Sequence, residues 1–148
     1  MSSTHVSQSL AIVHPISLSH GRNAEVWDDQ GKRYIDFVGG IGVLNLGHCH
    51  PRIVEALREQ AGRLTHSAFN ALPHEGYGQL LEALARFVPV SYRLSGMLTN
   101  SGAEALEAAL KLSRWHTGRS RVLAFLGAFH GRTSGAMSLS GSKLVHRR

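Results

Sequence analysis

Hydrophobic and polar positions change period several times along this chain, and each change predicts an element. Glu25-Val26-Trp27 and Arg33-Tyr34-Ile35-Asp36-Phe37 are β-prone runs on either side of Asp28-Asp29-Gln30-Gly31. That pattern predicts a hairpin closed by an Asp/Gly turn. Pro51 suits a first helical position, and Ile53, Ala56, Leu57, Ala61 and Leu64 then recur at steps of three and four, which predicts a helix. A second helix is expected from about Glu75 to Phe87, with Tyr77, Leu80, Leu81, Leu84 and Phe87 as its apolar stripe and Pro89 as its stop. A third should run from residue 103 to about 116, through Ala-Glu-Ala-Leu-Glu-Ala-Ala-Leu-Lys-Leu, all strong helix formers. Met97-Leu98-Thr99 is a short strand candidate, and Arg121 to Leu126, apolar almost throughout, reads as a fully buried strand. Residues 1 to about 20 lack periodicity and read as an irregular arm. Alternating helices and strands predict an α/β fold with a parallel or mixed sheet.

Composition narrows the class. With 148 residues, 43% hydrophobic and 18% charged, the chain is globular in character and is one domain or a piece of a larger one. Its formal net charge is +6, which raises nucleic acid as a partner. The basic residues are scattered, however, and the one tight cluster is His146-Arg147-Arg148. No finger spacing or RNP-like aromatic pattern accompanies it, so nucleic-acid binding is not expected. Cys49 is the only cysteine, which excludes an internal disulfide and fits a reducing compartment. Leu10 to Val13 is too short for a secretory core, and Met1 to Leu10 holds no Lys or Arg. The Gly-bearing apolar runs Phe37 to Val43 and Val122 to Phe129 are far short of a membrane span. The expectation is a soluble cytoplasmic protein with no membrane partner.

Four segments could carry chemistry. In Thr99-Asn100-Ser101-Gly102-Ala103-Glu104-Ala105 a glycine opens a helix whose first N–H groups lack internal partners, an arrangement that binds phosphate. A plain N-cap by Ser101 or Asn100 explains the same residues. The segment is not a Walker A loop, because no Gly-Lys-Ser/Thr follows. Gly40-Ile41-Gly42 reaches Asn45 where a dinucleotide fingerprint would place its third glycine. Gly39, Gly40, Gly42 and Gly47 among apolar residues suggest a loop whose backbone approaches something closely, or a loose connection. His48-Cys49-His50 invites a metal, but adjacent side chains cannot easily supply three ligands to one ion, so a helix entry is the simpler reading. Gly127-Ala128-Phe129-His130-Gly131-Arg132-Thr133 follows the expected strand, where α/β sheets place ligands. An aromatic ring, an imidazole and a guanidinium there could stack on a ring and clamp a carboxylate.

Taken together, these segments carry a resemblance. Asp36 to Asn45, Gly47-His48-Cys49-His50-Pro51, Asn100 to Ala105 and Gly127 to Thr133 come in one order and spacing. The chain resembles, from about residue 11 to about residue 141, the N-terminal part of class III pyridoxal-phosphate-dependent aminotransferases, and within them the 4-aminobutyrate enzymes. The resemblance implies an incomplete fold-type-I architecture of the α/β class. Residues 1–60 would form the N-terminal arm and small-domain region, and residues 65–148 the start of the cofactor-binding large domain and its sheet. Pyridoxal 5'-phosphate is the implied cofactor. Gly102 and Ala103 match the phosphate-binding pair, Phe129 the ring that stacks on the cofactor, and His130 the neighbouring imidazole. Arg132 matches a residue that holds the substrate carboxylate, and Ile41 a position lining the substrate pocket. The implied reaction passes the amino group of an ω-amino acid to a 2-oxo acid such as 2-oxoglutarate, in a homodimer.

Departures from the family are equally informative. Its chains are much longer, and its Schiff-base lysine has no match among Lys32, Lys111 and Lys143. This chain is therefore expected to be inactive by itself. After Gly141 the resemblance decays, as at a frameshift, a premature stop or an end set by cloning. Competing readings are an acetylornithine-like or other class III enzyme and a non-catalytic relic.

Overall fold

The computed structural model describes residues 5–7, 10 and 12–142. Residues 1–4, 8, 9 and 11 of the expected arm and the divergent tail from Lys143 onward lie outside them. The chain divides into two compact units, Met1–Ser67 and Ala68–Arg148.

The first unit is built on a three-stranded antiparallel sheet, β1 (Leu18–Arg22), β2 (Glu25–Asp28) and β3 (Arg33–Ile35), in the order β1-β2-β3. The expected hairpin is β2–β3, with Val26 opposite Tyr34. Its turn is closed by Asp28, whose Oδ1 accepts from the N–H groups of Gln30 and Lys32, and by Gly31 at φ +80°. Asp28 Oδ2 accepts from the Tyr34 hydroxyl at 2.8 Å. Burial pushes this carboxyl up, but the hydrogen bonds from Lys32, Tyr34 and Gln30 outweigh it and hold it below the ordinary carboxylate value. Strand β1 falls at the end of the segment expected to be irregular. Its sequence, Leu-Ser-His-Gly-Arg, has no alternating apolar pattern, and it forms because pairing with β2 supplies the ladder. The His20 ring stacks on Trp27 across that pair at 4.8 Å.

The glycine-rich segment after β3 is neither loose nor an ordinary helix. Its turn, α1 (Gly39–Gly42), has positive φ at all four residues, with Gly40 and Ile41 at (61°, 28°) and (59°, 50°). Left-handed backbone is open to glycine at little cost, which is why three of the four residues are glycine. Gly47 follows at φ +74°, so close to Asn23 that a Cβ would lie 2.6 Å from its carbonyl oxygen. Helix α2 (Pro51–Arg63) then starts with Pro51 at its first position and ends one residue short of Leu64.

The second unit contains α3 (Glu75–Ala85), α4 (Gly102–Thr117) and α5 (Ser134–Leu139). The first two match the expected helices to within two residues; α5 was not expected. Phe69 stacks on Tyr77 at 4.0 Å, and the Tyr77 hydroxyl accepts from the Leu98 N–H at 2.8 Å. Leu110 of α4 and Ala136 of α5 are its buried apolar residues. The strands expected at Met97–Thr99 and Arg121–Leu126 do not form: neither segment carries a ladder among the described residues. Leu123, Phe125 and Leu126 are almost fully exposed rather than buried. A strand needs a neighbour at hydrogen-bonding distance, and the described residues offer these two segments none.

Candidate functional site

The site in the second unit is assembled around the N-terminus of α4. Ser101 is its N-cap: the Ser101 Oγ accepts from the Glu104 N–H at 3.2 Å, and Glu104 Oε2 accepts in turn from the Asn100 N–H at 2.7 Å. This reciprocal cap satisfies two orphan donors. It leaves the N–H groups of Gly102 and Ala103 without an acceptor among the described residues. A Cβ placed on Gly102 would meet no atom within 4 Å. The N-cap reading holds, with Ser101 as the cap.

The loop from Gly127 to Thr133 rests on that helix end. Gly131, at φ +132°, lies against α4 so tightly that a Cβ would sit 2.6 Å from Ala103 Cβ. Ala103 must be small for the same reason. The upstream part of the loop is held by hydrogen bonds to the end of α5: Ser140 Oγ accepts from the His130 N–H at 3.0 Å and itself donates to the Ala136 carbonyl at 3.0 Å, and the Gly141 N–H donates to the Ala128 carbonyl at 2.8 Å. Phe129 is half-exposed, and the Arg132 guanidinium lies over its ring at 5.4 Å. Gly131 thus brings the loop that carries Phe129, His130 and Arg132 to the helix end at Ala103.

Two supports were not found from the sequence. One is Ser140, almost completely buried. The other is Glu107, whose Oε1 accepts from the Gly135 N–H at 2.8 Å at the start of α5. Hydrogen bonds from the Thr133 side chain, then from the N–H groups of Gly135 and Ala136, hold the Glu107 carboxyl below its ordinary value. Thr133-Ser134-Gly135 is the signal that could have placed a helix start here.

In the first unit, Ile41 projects from the left-handed turn and is 90% exposed. The turn is pinned by Asp36. Its Oδ1 accepts from Val38 and Gly39 N–H at 2.9 Å each, and its Oδ2 pairs with His48 Nε2 at 2.8 Å. The Gly39 N–H first, then the His48 ring, hold the Asp36 carboxyl below its ordinary value. His48 is committed to this pair, and Asn23 and His48 exchange backbone hydrogen bonds at 2.9 and 2.7 Å. Among the described residues no cluster of His, Cys, Asp or Glu could hold a metal ion. No described helix is long and apolar enough to cross a membrane.

At the N-terminus of α4 the second unit thus holds two open N–H groups, and the loop against it carries a ring and a guanidinium. Comparison with known proteins gives the family. The chain belongs to the class-III aminotransferases, whose family description matches residues 7–148. It is 67% identical to the 2-aminoadipate transaminase of Pseudomonas putida over 148 residues, covering 100% of this chain and 36% of that protein. It is 40% identical to the 4-aminobutyrate aminotransferase of Escherichia coli over 136 residues, 92% of this chain and 32% of that enzyme. The likeness to the 4-aminobutyrate enzymes is therefore real but more distant than that to the aminoadipate enzyme. Among solved structures, the omega transaminase of Pseudomonas jessenii in complex with PMP superposes with a TM-score of 0.81 at 27% identity, over 90% of this chain and 31% of that one. The fold is a part of the fold-type-I aminotransferase fold. The chain spans about a third of the length of the curated relatives it matches.

Proposed function

We propose that this chain forms the arm, small-domain region (1–60) and start of the large domain (65–148) of a homodimeric cytoplasmic aminotransferase that uses pyridoxal 5'-phosphate. The observation that carries the reading is the pair of open N–H groups at Gly102 and Ala103, with the Phe129–Arg132 loop seated against them. A phosphate dianion fits there: it would complete two unsatisfied donors at the positive end of a 16-residue helix. Gly102 and Ala103 would hold the phosphate, Phe129 would stack on the ring, and His130 would stand beside it. When bound, pyridoxal phosphate supplies the electron sink through which an amino group leaves a donor and reaches a 2-oxo acid. Arg132 would orient the donor by its carboxylate, and Ile41 would line the donor's pocket. None of Lys32, Lys111 or Lys143 is assigned a catalytic role, so turnover requires more polypeptide than these residues.

The donor is an amino acid with a carboxylate remote from the reacting amino group. The 67% identity to the aminoadipate enzyme favours 2-aminoadipate, and the 4-aminobutyrate enzyme's 40% makes 4-aminobutyrate the second reading. The test is steady-state kinetics of a full-length enzyme carrying this chain as its N-terminal third. Arg132→Ala removes a charge-assisted hydrogen bond of about 1.5–3 kcal/mol, so kcat/KM for 2-aminoadipate should fall roughly ten- to hundredfold. An unchanged value would take Arg132 out of the site.

A further inference from the structure

The loop that carries Arg132 is anchored on both sides by one face of α4. On its upstream side, Gly131 lies against Ala103. On its downstream side, the Gly135 N–H donates to Glu107 Oε1 at 2.8 Å. Ala103 and Glu107 are four residues apart, so they project from the same side of the helix, about one turn from each other. Arg132 is therefore carried between two points fixed to the helix that presents Gly102 and Ala103. The Glu107 carboxylate lies directly against Gly135, where a Cβ would overlap it. Helix α5 has six residues, too short to hold its position by its own backbone hydrogen bonds. Among the described residues, Glu107 is the carboxylate that accepts from the backbone at the start of α5.

We infer that Glu107 is a positioning residue: by holding the start of α5 it fixes the backbone of Arg132 relative to the anion-binding end of α4. The inference rests on the proposed role of Arg132 toward the donor carboxylate. It assigns Glu107 no contact with substrate or cofactor. Without its carboxylate the downstream anchor at the Gly135 N–H is lost, and the guanidinium is left to the upstream contacts, Gly131 against Ala103 and its own place over the Phe129 ring. Misplacement should therefore weaken recognition of a carboxylate while leaving the reaction of an amine that lacks one.

The experiment uses a full-length enzyme carrying this chain as its N-terminal third, with Glu107→Ala and Glu107→Gln. Two readouts are taken: hydrogen exchange at the Gly135 and Ala136 amides, and kcat and KM for 2-aminoadipate and for benzylamine. In Glu107→Ala those amides should exchange faster, and KM for 2-aminoadipate should rise roughly tenfold or more, toward the ~100-fold that a 1 Å misplacement can cost. Benzylamine kinetics should stay within about twofold, since no carboxylate has to meet Arg132. Glu107→Gln, whose amide oxygen still accepts from Gly135, should fall between the two. Equal losses for both donors in both variants, or unchanged exchange in Glu107→Ala, would overturn the inference. A wild-type enzyme that protects Gly135 and Ala136 yet turns over neither donor would overturn the proposed function and, with it, the role given to Glu107.

Discussion

Ile41 is the residue at which local chemistry and local backbone disagree most. A β-branched side chain at φ +59° occupies a region that costs L-residues about 1–2 kcal/mol. Its neighbours in the turn, Gly39, Gly40 and Gly42, avoid that cost. The side chain is 90% exposed, so burial within its own unit does not offset the strain. The strain therefore stands uncompensated at an exposed apolar side chain. Ile41→Gly should therefore tighten the turn by about 1 kcal/mol, after the backbone entropy that glycine loses. The Val43 and Leu44 amides, which both donate to the Gly39 carbonyl, report it directly: their exchange should slow about fivefold in the variant. Faster exchange would mean that the isoleucine side chain supports the turn rather than straining it.

At the scale of elements, single carboxylates do the joining. Asp36 follows β3 directly, caps the glycine turn through Val38 and Gly39, and reaches His48 just before α2. Glu107 does the same between α4 and α5. The folded Asp36 carboxyl titrates below its ordinary value. Its stabilising contribution is thus complete above the unfolded carboxylate range, about pH 4, and is lost only as the pH falls through the lower folded value. Amide chemical shifts of Val38 and Gly39, followed by NMR on acidification, should hold steady through pH 4 and move below it. Movement centred above pH 4 would show that these hydrogen bonds do not favour the ionised form. Asp36→Asn should abolish the transition at both amides.

Across the whole molecule the dominant fact is uncovered apolar surface. Among the described residues Val26, Leu110 and Ala136 are the buried apolar ones, while Phe37, Phe87, Trp115, Leu123, Phe125 and Leu126 are each at least 80% exposed. The groove between α4 and residues 95–99, with Met97, Leu112 and Trp115 on its wall, has a volume of about 750 Å³. Surface of this kind associates in water. The purified 148-residue chain should run as oligomers or aggregates, with fast exchange at the amides of Val122 to Leu126 because no ladder protects them. A monodisperse monomer by light scattering, with those amides protected, would contradict this.

What the sequence alone determined is what short-range patterns can encode. Pro51, the apolar stripes and the Asp28–Gly31 turn were sufficient for α2, α3, α4 and the β2–β3 hairpin, because helix periodicity and turn chemistry act within a few residues. The four ordered motifs carried the family, and they drew attention to Gly102, Ala103, Phe129, His130 and Arg132 before any geometry was known. Only the tertiary structure decided the rest. It showed Gly39 to Gly42 as a left-handed turn, spent His48 on Asp36, made a strand of Leu18–Arg22 by pairing it with β2, and brought Glu107 and Ser140 under the Arg132 loop. It also left Val122 to Leu126 without a ladder, since apolar character can nominate a buried strand but cannot supply the neighbour that makes it one. Each of these outcomes depends on a partner distant in sequence or on backbone dihedrals, neither of which a pattern of residue types specifies.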